Sequence, residues 1–411
     1  MPTKNFEHDN RISARLQNHL DPELNKRLGE LRAQELYREL RRVDSPQAPH
    51  IEISGRTFLN FSSNDYLGLA NEPAVKNAAI EAIQRFGAGA GASRLICGSL
   101  APFHELEERL AAFKKTEAAL TFATGYAAAI GAVTTLLGKD DIVLIDKLVH
   151  ASLIDAAKLS DSKLRVFAHN DLNDLEDKLK WATAQRAQNS SRHVLIITES
   201  VFSMDGDLAP LQEIVELKER FNAWLMIDEA HATGVFGKTG RGLADQLGVN
   251  DRIEIQMGTL GKALGASGGY IAGSRTLIDY LINRARSFVF STAPVPASAA
   301  AAAAALEIVN SVDGAARRKI LWANAARLKT QLALKSISSA IIPVILGDET
   351  KALAAAAALF DRGIYVPAIR YPTVRRGAAR LRVTITAAHN EQDISELAPA
   401  WNATQRGLEN S

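Results

Sequence analysis

The chain has 411 residues, 47% of them apolar, and a formal net charge of +2. That length exceeds one ordinary core and implies two or three folding units, while the near-balanced charge excludes the basic footprint of nucleic-acid or membrane-surface binding. One cysteine, Cys97, excludes an intrachain disulfide, no apolar run approaches the roughly twenty residues of a membrane span, and residues 1–31 hold no stretch of signal-peptide character, so a soluble cytoplasmic protein is expected.

In chain order, residues 21–42 set leucines at helical spacing among charges, with Asp21-Pro22 as a helix start, and predict one amphipathic helix. Short apolar runs at 51–53 and 58–61 flank Gly55-Arg56 and predict a hairpin. It leads into a polar cluster, Ser62 to Leu69, that is unusual for a plain loop between apolar runs. A helix is predicted over 73–86. The stretch Gly87 to Arg94 repeats glycine at alternate positions, but it follows a helix and its third glycine is misplaced for a dinucleotide fingerprint, so it is read as a flexible or substrate-facing loop.

From His104 the pattern becomes regular. A helix to Phe113 and a strand over 118–122 lead to Ala123-Thr124-Gly125-Tyr126, where a helix of small residues opens towards Leu137. Glycine at such a turn points backbone N–H groups at a docked anion. Strands at 142–145, 164–167, 194–198, 223–227, 253–257 and 269–272 alternate with helical segments. The rhythm predicts a mainly parallel sheet covered by helices on both faces, with the site at the strands' carboxyl ends. At Pro296 the composition shifts to an alanine-rich helix over 297–312, followed by strands at 341–346, 364–366 and 381–386. The expected division is 1–60, a helix and hairpin packing with the small domain; 61–296, the large domain; and 297–411, the small domain.

Two stretches carry candidate chemistry. Gly258-Thr259-Leu260-Gly261-Lys262-Ala263-Leu264-Gly265 sets a lysine among small residues at the end of an apolar run, where leucine or methionine would pack better. A solvated surface lysine is the bland alternative; the amine becomes nucleophilic only if burial or nearby cations lower its pKa. Upstream, a buried strand ends in Asp228-Glu229-Ala230-His231, which puts an acid and a histidine at the mouth of the sheet. Three readings compete. The magnesium site of a nucleotide-driven motor needs a phosphate loop with four residues between its glycine and Gly-Lys-Ser/Thr, and this chain has two. A metal hydrolase built on His150, His169 and His231 lacks any His-x-x-x-His or Glu-x-x-His pair, so no metal is expected. A pyridoxal 5'-phosphate site uses every piece: an acid for the pyridine nitrogen, a histidine near the phenolic oxygen, a lysine to hold the cofactor covalently and a helix N-terminus for the phosphate.

Four motifs, in order, carry a family likeness: Asn60-Phe-Ser-Ser-Asn64-Asp-Tyr-Leu-Gly68, Glu199-Ser-Val-Phe-Ser203-Met-Asp-Gly206-Asp, Asp228-Glu-Ala-His231-Ala-Thr-Gly234 and Thr259-Leu-Gly-Lys262-Ala. Together they resemble the α-oxoamine synthases, a fold-type-I group of pyridoxal-phosphate enzymes, from about residue 35 to about residue 395. The resemblance implies an α/β transferase with a large domain, whose mainly parallel seven-stranded sheet is covered by helices, and a smaller α+β domain drawn from the N- and C-termini. It also implies a homodimer with its active site at the interface. Within the family, Val366-Pro-Ala-Ile-Arg370-Tyr-Pro-Thr373, with Arg380-Leu-Arg382 and His389 behind it, is similar to the branch that condenses L-alanine with a pimeloyl thioester in biotin biosynthesis, the acyl carrier being acyl carrier protein or coenzyme A. Arg375 departs from the small residue usual there. The alternatives are a sister synthase taking glycine or serine, and a scaffold subunit without chemistry, against which Lys262, Asp228 and His231 speak.

Carried over residue by residue, the resemblance implies that Lys262 holds the cofactor and then acts as acid and base, with Asp228 on the pyridine nitrogen and His150 stacked on the ring and near the substrate. His231 and Ser203 would serve the phenolic oxygen, Gly125 and Tyr126 would offer backbone donors, and Thr259 would hold the phosphate. Ser291 and Thr292 would reach the phosphate of the neighbouring subunit. Arg370 would grip the amino-acid carboxylate with Thr373 close by, and Arg38 would contact substrate from the N-terminal segment, where Arg41 and Arg42 are alternatives.

Overall fold

In the computed structural model, residues 20–409 are described; residues 1–19 of the expected 1–60 segment, and most of the stretch read for a signal peptide, lie outside the described residues. Thirteen strands occur among them: β1 (His50–Ile53), β2 (Arg56–Asn60), β3 (Ala118–Phe122), β4 (Ile142–Asp146), β5 (Lys163–Phe167), β6 (Val194–Glu199), β7 (Trp224–Asp228), β8 (Ile255–Thr259), β9 (Gly269–Gly273), β10 (Ile341–Gly347), β11 (Ile364–Tyr365), β12 (Ala368–Ile369) and β13 (Ala379–Thr384).

Seven of them form one sheet in the order β3-β9-β8-β7-β6-β4-β5. The run from β8 to β5 is parallel, and β9 lies antiparallel to both β3 and β8. Strands β4 and β6 are buried at every position, as near-continuous apolar runs in a sheet covered on both faces must be. Strand order reverses between β4 and β6: the chain runs outward from β4 to β5, then returns and runs the other way through β7 to β8. The crevice outside the carboxyl ends of β4 and β6 is therefore the place where this class of sheet admits a ligand. Register puts Glu199 opposite Asp228, and Asp228 opposite Met257, on the same edge.

Two smaller sheets complete the chain. The N-terminal hairpin β1-β2 is extended by β11, which pairs parallel to β2, and β10-β13-β12 is antiparallel. The amide of Thr384 donates to the Phe61 carbonyl at 2.7 Å, so β13 is stitched to the segment that leaves the hairpin.

Several predicted bounds move. The first helix, Leu20–Ala33, stops well short of residue 42, because Glu35 adopts φ 57° and its carbonyl is taken by the Arg370 guanidinium. β8 begins two residues late, since Asn250–Arg252 closes a 3₁₀ turn first. The alanine-rich helix, Pro296–Val309, ends at Asn310, and Ser311 then caps a second helix, Val312–Gln331, that the periodicity did not predict. The glycine-rich stretch leads into a π-helical turn, Arg94–Gly98, whose buried arginine pairs with Glu107 at 2.7 Å. Among the described residues no helix is long and apolar enough to cross a membrane.

Candidate active site

β7 delivers Asp228 to the carboxyl edge, and the turn after it carries His231; β8 delivers Thr259, and the loop after it carries Lys262. Two glycines flanking Lys262, one in β8 and one in the loop, are explained by packing against the protein itself. A Cβ on Gly258 would meet Tyr270 Oη at 2.4 Å, and Gly265, at φ 60°, lies so close to residues 69 and 70 that its Cβ would fall 2.3 Å from the Ala70 nitrogen. Gly265 thus docks the Lys262 loop on the 65–70 segment. Asp65 closes the same joint by accepting the amides of Leu69 and Ala70 at 2.8 and 3.0 Å.

Lys262 Nζ lies 2.9 Å from His231 Nε2, and His231 Nδ1 lies 2.6 Å from the Tyr66 hydroxyl. Burial keeps the Tyr66 phenol protonated well into alkaline pH. The same hydroxyl donates to Asn64 Oδ1 at 3.3 Å, and the His231 ring bridges it to the lysine amine. Burial, with the charges of Lys262 and Arg382 adding to it, holds the His231 pKa well below the ordinary histidine value, so the ring is neutral. Burial likewise lowers the Lys262 amine, against the opposing pull of Asp228 and Glu199.

Asp228 is buried and accepts the Ala230 amide at 2.8 Å. Burial raises its pKa, opposed first by the charge of Lys262. Its neighbour Glu199 is buried too, accepts the backbone amide of Ser203 at 3.2 Å, and leaves Oε1 without a partner among the described residues. Burial and the Asp228 charge push Glu199 well above the ordinary carboxylate range. Two adjacent carboxyls in one buried crevice titrate as a pair.

His150 caps helix Ala151–Leu159, with Nδ1 2.8 Å from Ser152 Oγ, and burial lowers its pKa. Ser203 lies in the turn after β6, its carbonyl receiving Arg382 Nε at 2.6 Å. Gly125 begins helix Gly125–Leu136, with Thr124 capping through Ala127; a Cβ on Gly125 would sit 3.9 Å from that of Thr259, so this helix N-terminus stands over the end of β8. Tyr126 is half exposed, and its hydroxyl donates to Asp155 at 2.9 Å.

A second group gathers around the segment 366–373. Arg38 Nη2 reaches Thr373 Oγ1 and the Tyr371 carbonyl at 3.3 Å, while Arg370 donates to the carbonyls of Glu35 and Tyr37. Arg38, Arg41 and Arg370 line a cavity of about 640 Å³ with Phe360 and Tyr365. Arg42 pairs instead with Asp44. Ser291 and Thr292 run beside Ser93, to which Thr292 is bridged, flanked by Phe290 and Ile96, 73% and 79% exposed.

Sequence reasoning assigned no role to Tyr66, Glu199 or Arg382. Arg382 is buried on β13, and its guanidinium also bonds Asn64 Oδ1 at 3.1 Å and Thr384 Oγ1 at 2.9 Å. The signal was present: two arginines alternating with leucine and valine on an apolar strand, and a tyrosine in a polar cluster between apolar runs.

The aminotransferase class I and II family matches residues 56–400, and the chain belongs to it. The 8-amino-7-oxononanoate synthase of Thermoanaerobacter pseudethanolicus is 43% identical over 392 residues, 94% of this chain and 97% of its own length. A serine palmitoyltransferase variant from S. paucimobilis, solved with bound PLP and myriocin, superposes with a TM-score of 0.88 at 28% identity, over 95% of this chain and 98% of its own. The 8-amino-7-oxononanoate synthase of Francisella tularensis gives 0.68 at 27% identity, over 86% and 98%.

Proposed function

We propose that this chain is an acyltransferase that joins L-alanine to a pimeloyl thioester with loss of carbon dioxide, giving 8-amino-7-oxononanoate and the free thiol of the carrier, as in biotin biosynthesis. The observation that carries the reading is the 43% identity over nearly the whole of an 8-amino-7-oxononanoate synthase, with Lys262, His231 and Asp228 gathered at one sheet edge. A sister activity on serine has a weaker claim, since the serine palmitoyltransferase likeness stands at 28% identity.

The cofactor is pyridoxal 5'-phosphate, and the residues fit it. The unpartnered Glu199 Oε1, the first amides of helix Gly125–Leu136 and the neutral His231 leave polar capacity for a heteroaromatic ring with a phosphate. When bound, the cofactor links covalently to an amino group and accepts the electron pair left by a departing proton or carboxylate. In this reading Lys262 would hold the cofactor, then take a proton from alanine and later return one, a role its lowered pKa favours. Asp228, ionised, would hold a proton on the ring nitrogen, and His150 would lie over the ring. His231 and Ser203 would bond the phenolic oxygen, and Gly125, Tyr126 and Thr259 would hold the phosphate. Arg370 would take the amino-acid carboxylate, with Thr373 near the substrate and Arg38 contacting it from the N-terminal segment. Arg382, which makes no ion pair among the described residues, is a second candidate for the carboxylate.

The division at residues 60 and 296 belongs to the same proposal and is supported by the pairing of β2 with β11. So does a homodimer in which Ser291 and Thr292 reach the neighbouring subunit's phosphate, supported by the exposed Phe290 and Ile96 beside them. A cytoplasmic setting suits a chain with one cysteine.

The test is thiol release from pimeloyl-coenzyme A, and separately from pimeloyl-acyl carrier protein, in the presence of L-alanine, glycine or L-serine. Release with L-alanine is expected; release with glycine or serine alone would move the chain to a sister activity.

A further inference from the structure

His169 contributes nothing to the site described above, yet it is the most heavily engaged histidine near it. It follows β5, and its two ring nitrogens reach two carboxylates on different elements. Nδ1 lies 3.0 Å from Asp146 Oδ1, at the end of β4, and Nε2 lies 2.7 Å from Asp207 Oδ2, in the turn after β6. A ring bonded to a carboxylate at each nitrogen donates from both, so it carries the full positive charge. Burial works against that charge, but the bonds to Asp146 and Asp207 outweigh it and push the pKa up to about 10.

Each carboxylate governs a turn that bears a site residue. Asp146 also accepts the amides of Leu148 and Asn170, at 2.8 and 2.9 Å, and so shapes the turn that ends at His150. Asp207 closes a turn with Phe202, whose amide donates to the Asp207 carbonyl at 3.0 Å, and Ser203 sits within it. The Phe202 ring stands edge to face with His169 at 4.3 Å. Asn170 ties the same turn by donating to Asp207 Oδ2 and to the Leu208 carbonyl, both at 3.1 Å. From the opposite side Arg380 and Arg382 grip the carbonyls of Met204 and Ser203. The Asp146–His169–Asp207 bridge therefore spans the β4–β6 crevice, the point where strand order reverses.

We infer that His169 is a positioning residue, clamping the turn of His150 to the turn of Ser203 so that both meet the reacting centre in fixed geometry. The inference rests on the proposed function only for its kinetic consequence, because the clamp can be tested without catalysis. The isolated protein is compared with His169→Ala, and with Asp207→Asn as the milder variant should the first fail to fold. Hydrogen exchange of the amides at 148, 170, 202 and 206 should rise by roughly tenfold or more while β7 and β8 keep their protection. In the cofactor-loaded enzyme, kcat should fall by about tenfold with KM within about twofold, and the visible circular dichroism of the bound cofactor should change. His169→Arg, a permanent cation with a donor fork, should recover part of the exchange protection and of kcat. Unchanged exchange in the two turns would overturn the clamp. A uniform loss of protection with kcat and dichroism intact would reduce His169 to a general stabilising role and overturn the inference equally.

Discussion

The Tyr66 hydroxyl and His231 Nδ1 lie 2.6 Å apart, which makes a residue of the polar cluster at 62–69 the partner of a histidine 165 positions later. Through the His231 ring the Tyr66 hydroxyl is linked to the Lys262 amine, which lies 2.9 Å from Nε2. Tyr66→Phe should leave Nδ1 buried without its hydroxyl partner and cost about 1–3 kcal/mol. Chemical denaturation of the two proteins checks this; equal midpoints would show that Nδ1 needs no hydroxyl partner.

Lys262→Ala should lower turnover by roughly 10²–10⁴-fold, the usual worth of a positioned proton-transfer group, and remove the covalent cofactor while leaving far-ultraviolet dichroism unchanged. Asp228→Asn should keep the cofactor bound but lower turnover by about 10²–10³-fold. Thiol release and an absorbance scan separate the two. Near-native rates in either variant would contradict the role assigned to it.

Acidification should cost stability through His231. Its folded pKa is held far below its unfolded value of 6.5. As pH falls below that value, the unfolded chain takes up a proton that the buried ring refuses, and stability drops. His231→Gln should flatten this part of the profile, read as the difference in denaturation midpoint between pH 7.5 and 5.5; parallel profiles would mean the ring is protonated when folded.

Gly265→Ala should destabilise by about 1–3 kcal/mol, since φ 60° is strained for alanine and the new Cβ would collide with the 69–70 backbone. The Lys262 loop would be displaced with it. A thermal melt together with the cofactor band tests both; an intact band in a destabilised protein would show that the loop holds its place by other contacts.

The two candidate arginines separate by kinetics. Replacing the carboxylate-binding arginine with lysine removes the fork and should raise KM for L-alanine by roughly tenfold or more. Arg370→Lys and Arg382→Lys are measured side by side; the variant whose KM for L-alanine rises while that for the thioester stays level identifies the grip.

Much of the sheet was legible because its signal is local. The apolar runs of β4, β6 and β7, each ended by a turn, mark buried parallel strands, and the acid and histidine after β7 and the lysine after β8 stand where such strands end. Bounds set by competing local bonds were less legible, as with the early stop at Ala33, where a positive φ at Glu35 and a guanidinium from residue 370 decide the chain's path.

By itself the sequence determined the alternation of strands and helices, the motifs and their order, since periodicity and turn chemistry act over a few residues. Tertiary structure alone decided which distant groups meet. It set Tyr66 on His231, Glu199 beside Asp228, and His169 between Asp146 and Asp207. These contacts depend on strand order and on burial in a low-dielectric crevice, where charges and unpaired polar atoms interact strongly, and neither is written in any short stretch of chain.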